Sequence, residues 1–136
     1  MSTCRFNIRS ELRSIRQAAE IFRSFLEENG CTPSEVQACE LALVESCNNA
    51  VLYSGRDRAQ DVTVEGACSA DQIELRITDH TPGFEWPGKA RLPAAESETG
   101  RGVFLIQAVM DSSQYQRGSK ANTLVLRKNR RSSPRP

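Results

Sequence analysis

Leu41-Ala42-Leu43-Val44-Glu45-Ser46-Cys47-Asn48-Asn49-Ala50-Val51 reads as the middle of a long helix with two faces of different character. Leu43, Cys47, Ala50 and Val51 can turn together toward a core. Glu45 and Asn49 lie four positions apart, which stacks them on one helix face, roughly 6 Å apart along the axis. A carboxylate above a carboxamide can serve two jobs at once. The amide oxygen can ligate a hard cation such as Mg²⁺, and the carboxylate can orient or deprotonate a hydroxyl. Taken alone, the pair also describes an ordinary solvated helix face. The segments on either side decide between those readings.

Upstream, Thr32-Pro33-Ser34-Glu35 is a capping box with proline at the first helical position, a strong start for this helix, which is expected to fray near Ser54-Gly55. Before it, Leu12, Ile15, Ala18/Ala19, Phe22 and Phe25/Leu26 recur at helical spacing and stop at Asn29-Gly30. Ser10 is the expected cap of that earlier helix, with Glu11 in its first turn. Cys4 to Ile8 alternates as a short strand. Downstream, Arg56 to Gln60 is a polar connection. Val62 and Val64 begin a strand that reaches Cys68, Ser69-Ala70-Asp71 turns the chain, and Ile73, Leu75 and Ile77 complete a hairpin ending at Asp79. His80 to Gly100 carries three prolines and no period, and is longer than an ordinary connection. Val103, Phe104, Ile106, Gln107 and Met110 suggest a short helix, and Gln114 to Arg117 and Thr123 to Arg127 the closing strands. The order predicts an α+β two-layer sandwich, helices on one face of a mostly antiparallel sheet, over residues 1–128. Residues 129–136 are expected to be a disordered basic tail.

The 136 residues suit one domain. With 18 basic and 17 acidic side chains, no global positive field favours nucleic acid. No apolar run is long enough to span a bilayer and no signal-peptide core is visible, which predicts a soluble protein not secreted by that route. Cys4, Cys31, Cys39, Cys47 and Cys68 are odd in number and lack C-x-x-C spacing. Reduced, mostly buried thiols and a cytoplasmic location are expected.

Asp79-His80-Thr81-Pro82-Gly83-Phe84 sits where an apolar strand ends. A buried aspartate there can accept a hydrogen bond from an exocyclic amine such as that of adenine, and Gly83 lets a flat ring approach the backbone. The same residues also describe a plain turn. Thr99-Gly100-Arg101-Gly102 precedes an apolar run, so exposed backbone N–H groups at a helix start can bind an anion; a flexible hinge fits the same residues. Arg101 is either a phosphate contact or a solvated cation. In combination, these stretches would build one nucleotide pocket with adenine at one end and Mg²⁺ at the other.

At this point the sequence resembles the RsbW-like anti-sigma factor serine kinases, a branch of the GHKL superfamily of ATPases, from about Phe6 to Lys128. Glu45-Ser46-Cys47-Asn48-Asn49-Ala50 resembles the N box, Asp79 to Phe84 the first glycine box, and Gly100 to Ile106 the second. Met110-Asp111 and Thr123 to Lys128 are similar to the family's ending. The resemblance implies ATP and Mg²⁺ as cofactors, Asn49 as the metal ligand and Glu45 as the base or orienting group for an attacking hydroxyl. It places Asp79 on the adenine amine, Gly83 along the adenine slot, Gly100 and Gly102 around the phosphates with Arg101, and Thr123 among the nucleotide contacts. Phe84 to Thr99 would be the ATP lid. Thr81 stands where the family's first box usually has glycine, which implies a tighter loop or altered affinity; the basic groups near the lid are Lys89, Arg91 and Arg101.

The function implied is a regulatory protein serine/threonine kinase that phosphorylates a STAS-type antagonist, sequesters a sigma factor or similar target, and forms a homodimer. A non-catalytic partner-sequestering module of the same fold is the rival; retention of Glu45 argues against it and Thr81 mildly for it. His80, the single histidine, is not on a helical hairpin suited to a phosphoacceptor. Trp86 can pack over a nucleotide, serve a partner or anchor a loop. Tyr53 can border the pocket, and the basic tail reads as a solvated terminus.

Overall fold

The described chain forms β1 (Ser2–Ile8), α1 (Leu12–Glu28), α2 (Pro33–Leu52), β2 (Val62–Cys68), β3 (Gln72–Asp79), α3 (Glu98–Val109), β4 (Ser112–Arg117) and β5 (Asn122–Asn129). The computed structural model describes residues 1–52, 61–83, 86 and 98–130, with the backbone alone for 98–100. All five strands join one sheet in the order β1-β2-β3-β5-β4, each neighbouring pair antiparallel. The expected α+β sandwich is the observed architecture.

Alternation produces the layers. Val62, Val64 and Cys68 of β2 and Ile73, Leu75 and Ile77 of β3 are buried on one sheet face, while Thr63, Glu65, Glu74 and Arg76 are half-buried on the other. α1 covers the first face with Ile15, Phe22 and Leu26, and α2 with Cys39, Leu43 and Cys47. Burying a side chain such as Phe22 or Leu43 contributes about 1.5–3 kcal/mol. α3 packs against α2, which places it beside the Glu45/Asn49 face.

The capping box of α2 forms as its residues predict. Thr32 N donates to Glu35 Oε1 at 2.8 Å and Glu35 N donates to Thr32 Oγ1 at 3.1 Å. The cap of α1 differs from expectation. The chain enters that helix one residue later, with extended Glu11 at the cap and no side-chain cap bond. Ser10 is buried instead, and its Oγ has no hydrogen-bond partner among the described residues.

The first two residues of the expected tail, Asn129 and Arg130, are built into the fold. β5 continues through Asn129, and Arg130 N donates to Asp71 O at 2.8 Å. The Arg130 guanidinium donates to Ser69 O at 2.7 Å and Gly30 O at 3.2 Å, and its Nε lies 3.5 Å from Glu35 Oε1. These bonds tie the α1–α2 connection, the β2–β3 turn and the start of α2 to the end of β5, which a reading of local composition cannot show. The two side chains are 14% and 8% exposed, so removing one leaves a buried charge less compensated. Arg130→Ala is expected to lower unfolding free energy by about 2–3 kcal/mol in urea titrations, where a surface arginine would give less than about 0.5. Residues 131–136 lie outside the described residues.

Candidate functional site

Glu45 and Asn49 do stand together, and α3 is pressed against them. A Cβ added at Gly102 would lie 3.1 Å from Glu45 Oε2 and 3.5 Å from both Nδ2 and Oδ1 of Asn49. Gly102 therefore serves a close helix–helix approach rather than a turn. α3 begins at Glu98, so both Gly100 and Gly102 lie inside the helix and not ahead of it. The helical N–H groups left without an intrahelical acceptor are accordingly those of residues 98–100, its first three positions.

Asn49 is 6% exposed, and its Nδ2 has no hydrogen-bond partner among the described residues. Such an orphan costs about 1–3 kcal/mol, a cost that a bound ligand can offset. Burial pushes the Glu45 carboxyl above the usual carboxylate range, and the positive charge of Arg101 opposes the shift. A cleft of ≈ 870 Å³ opens over this pair. Glu11, Leu12 and Arg13 from the start of α1 form one wall; Asn48, Val51 and Leu52 of α2, with Arg101 and Leu105 of α3, complete it.

A second cluster forms at the end of β3. Asp79 is 7% exposed, and three donors converge on its Oδ1: Thr81 N at 3.0 Å, Thr81 Oγ1 at 2.8 Å and Asn122 Nδ2 at 3.1 Å. Thr81 Oγ1 also accepts from Gly83 N at 3.0 Å, and Asn122 Nδ2 donates to Thr81 O at 2.8 Å. One hydroxyl donates to Asp79 and accepts from Gly83, so Thr81 organises the loop in a way glycine could not. Gly83 has φ +80°, which a side chain disfavours, and a Cβ there would meet Arg117 Nε and Asn122 Oδ1 at 3.0 Å and Tyr115 Oη at 3.1 Å. The loop is thus laid onto β4 and β5. Arg117 Nη2 donates to Pro82 O at 2.9 Å, and Trp86 stacks on Tyr115 with centroids 5.8 Å apart. Trp86 is, at the least, a loop anchor.

The two clusters are held by different pieces of the fold. Glu45, Asn49 and Arg101 line the cleft against Gly102, whereas Asp79 and Gly83 are not among its described lining. Thr123 is placed differently from the expectation. Its Oγ1 lies 3.0 Å from Thr78 Oγ1, and strand alternation puts both on the sheet face opposite Asp79. Its neighbour Asn122, 1% exposed and paired with Asp79 across the β3–β5 ladder, occupies the position beside the aspartate. Asn122, Arg117 and Tyr115 are site-forming residues that sequence patterns miss; the cross-strand register is the signal that finds Asn122. His80 Nδ1 lies 3.2 Å from Lys120 O, a loop contact. Tyr53, Lys89, Arg91 and the expected lid, apart from Trp86 and the first turn of α3, lie outside the described residues. Among the described residues no group of three or more His, Cys, Asp or Glu side chains could hold a metal ion, and no helix is long and apolar enough to cross a membrane.

Residues 8–128 match the histidine kinase-like ATPase domain model. Comparison with curated proteins finds no significant match. Among solved structures, the RsbU and RsbW domains of Rv1364c from Mycobacterium tuberculosis superpose with TM-score 0.72 at 16% identity, over 96% of this chain and 33% of that one. This chain therefore spans about a third of the length of that solved chain. The SiaB–SiaC complex from Pseudomonas aeruginosa gives TM-score 0.64 at 16% identity, covering 93% of this chain and 89% of that one. The histidine kinase AdeS of Acinetobacter baumannii gives 0.54 at 12% identity, covering 96% and 69%. At these identities the likenesses establish the fold, and the model match across nearly the whole chain establishes the family: this chain belongs to the histidine kinase-like ATPase domains.

Proposed function

We propose that this domain binds Mg-ATP and transfers the γ-phosphoryl group to a serine or threonine hydroxyl of a partner protein, releasing ADP. The observation that carries the reading is the contact of Gly102 with both Glu45 and Asn49, which brings a helix N-terminus, a carboxylate and an orphaned amide into one cleft. Asn49 would hold Mg²⁺ through its side-chain oxygen, with phosphate oxygens and water completing the shell, as suits a cation that needs few protein ligands. The metal would neutralise charge developing on the phosphates. N–H groups at the start of α3 and Arg101 would meet the phosphates. Glu45 accepts the proton of the acceptor hydroxyl as that oxygen bonds to phosphorus and the bond to the ADP oxygen breaks. Its carboxyl, raised by burial, is closer to neutral pH and hence a better base than an exposed glutamate. Asp79 would accept the adenine amine on Oδ2, the oxygen that its three loop bonds leave out. We place Asn122, rather than Thr123, beside the adenine.

The partner switch belongs to the same proposal: the phosphoacceptor would be a STAS-type antagonist, a sigma factor or similar regulator would be the sequestered target, and the kinase would act as a homodimer in the cytoplasm. One fold neighbour was solved as a two-protein complex, which supports a partner-binding role. The test is incubation with γ-labelled ATP and a STAS-domain antagonist protein. Label on a Ser or Thr of the antagonist is expected; intact complex formation without label would instead support the non-catalytic binding module. Thr81 gives that rival no support, since its hydroxyl is built into the loop.

Trp86, the single tryptophan, offers a direct readout of the adenine end. It stacks on Tyr115 next to Gly83, so Mg-ADP titration is expected to change its fluorescence in a saturable way. Calorimetric binding with an unchanged emission spectrum would place the adenine elsewhere.

A further inference from the structure

The nucleotide reading leaves a second group of reactive side chains unused, at the opposite end of α2 from Asn49. Cys31 lies in the connection between α1 and α2, and Cys68 is the last residue of β2. They are 37 positions apart in sequence, yet their Sγ atoms lie 3.7 Å apart. All five cysteines are free thiols, and this is the one thiol–thiol contact among the described residues. A disulfide needs sulfurs about 2.05 Å apart, so bonding requires an approach of about 1.7 Å, within reach of modest side-chain rotation and turn movement.

The two thiols are unequal in access. Cys31 is half-buried and reachable from solvent, whereas Cys68 is 3% exposed. Arg130 Nη1 lies 3.4 Å from Cys68 Sγ, and the same guanidinium bonds the carbonyls of Gly30 and Ser69, which immediately flank the two cysteines. The arginine thus clamps both backbone segments and keeps the sulfurs adjacent. Cys39 and Cys47 are wholly buried in the core, and burial pushes both thiols up to about 12. Cys4 on β1 pairs with Gly66, two positions before Cys68, and its sulfur makes no contact with another thiol among the described residues.

We propose that Cys31 and Cys68 form a peroxide-oxidisable dithiol that closes into a disulfide and staples the start of α2 to the end of β2. Cys31 is the entry point. Its sulfur bonds to one oxygen of hydrogen peroxide as the O–O bond breaks, giving a sulfenic acid and one water. Cys68 sulfur then bonds to Cys31 sulfur, the S–O bond breaks, and the departing hydroxide takes the Cys68 proton as a second water. Two thiols lose two electrons and one peroxide gains them. The acceptor is a peroxide, so the site would respond to oxidative conditions without any metal.

Closure is expected to be slow at neutral pH. Burial first, and then the neighbouring Cys68, push the Cys31 thiol up to about 12, while the charge of Arg130 pulls the other way and Glu35 adds to the rise. The groups around it are therefore Glu35 and Cys39 from α2, Cys68 from β2 and Arg130 after β5. Well below that value the reactive thiolate grows about tenfold per pH unit, so oxidation is expected to run about 100-fold faster at pH 9 than at pH 7. An ordinary exposed thiol would begin to level off near pH 9.

The test needs no nucleotide, so its outcome is separate from that of the kinase reading. The full chain is treated with hydrogen peroxide at each pH, remaining thiols are alkylated, and peptides are mapped by mass spectrometry. The expected product is one linked pair containing Cys31 and Cys68, reversed by dithiothreitol. Cys68→Ser is expected to leave Cys31 as a sulfenic acid that dimedone traps, and Cys4→Ser is expected to change nothing. Over-oxidation of Cys31 in the parent chain without any link, links scattered over other cysteines, or no reaction at pH 9 would each overturn the proposal. Mapping of the parent chain decides the matter even where a variant fails to fold.

Discussion

Glu45→Gln is expected to lower phosphoryl transfer to the partner protein by about 10²–10⁴-fold, the usual contribution of a positioned general base. Mg-ADP affinity is expected to change by no more than about twofold, because an interaction made mainly in the transition state appears in kcat rather than in binding. Glutamine keeps the contact with Gly102 and the size of the side chain, so the helix–helix approach survives. Single-turnover labelling beside calorimetry separates the two quantities. A pH dependence accompanies this result. Burial raises the carboxyl, so the rate should fall as pH drops through that raised value and the base becomes protonated. Arg101 opposes the rise, so Arg101→Ala should move the acid limb of the rate profile to higher pH. A limb that stayed in place would remove Glu45 from the proton transfer.

Asp79→Asn should weaken Mg-ADP binding by about 10–100-fold while leaving the fold intact. The carbonyl of an asparagine can still accept from Thr81 and Asn122, which all bond one oxygen. Its amide nitrogen would then stand where the second oxygen was, and a donor facing the adenine amine costs about 1.5–3 kcal/mol. Asp79→Ala is the contrasting variant. It strands the buried Asn122 amide and the Thr81 hydroxyl, so stability itself should drop by about 1–3 kcal/mol. Unchanged nucleotide affinity in the asparagine variant, with a normal melting curve, would move the adenine away from β3.

The sequence was most legible where the physics is local. The capping box at Thr32 and Glu35, the alternation of β2 and β3, and the helical spacing of Ile15, Phe22 and Leu26 all depend on near neighbours, and each element formed. It was least legible where a residue's role is set by something distant. Gly100 and Gly102 carry poor helix propensity, which suggests a hinge before α3; the approach of Glu45 and Asn49 explains why a glycine sits inside the helix. Thr123 and Asn122 are adjacent in sequence, and only the register of β5 on β3 shows which of them faces Asp79. Arg130 reads as part of a solvated tail because its partners at Gly30, Glu35 and Ser69 are all remote in sequence. Ser10 met every compositional rule for a cap, but the chain turned into α1 one residue later.

The most direct test of the central claim is calorimetric titration of the parent chain with ADP, in Mg²⁺ and again with the metal chelated. Saturable binding that weakens strongly on chelation is predicted, since under the proposal Asn49 would contribute through the metal while Asp79 and the α3 N-terminus would contact the nucleotide itself. Absence of binding in Mg²⁺, in a protein that melts cooperatively, would contradict the account.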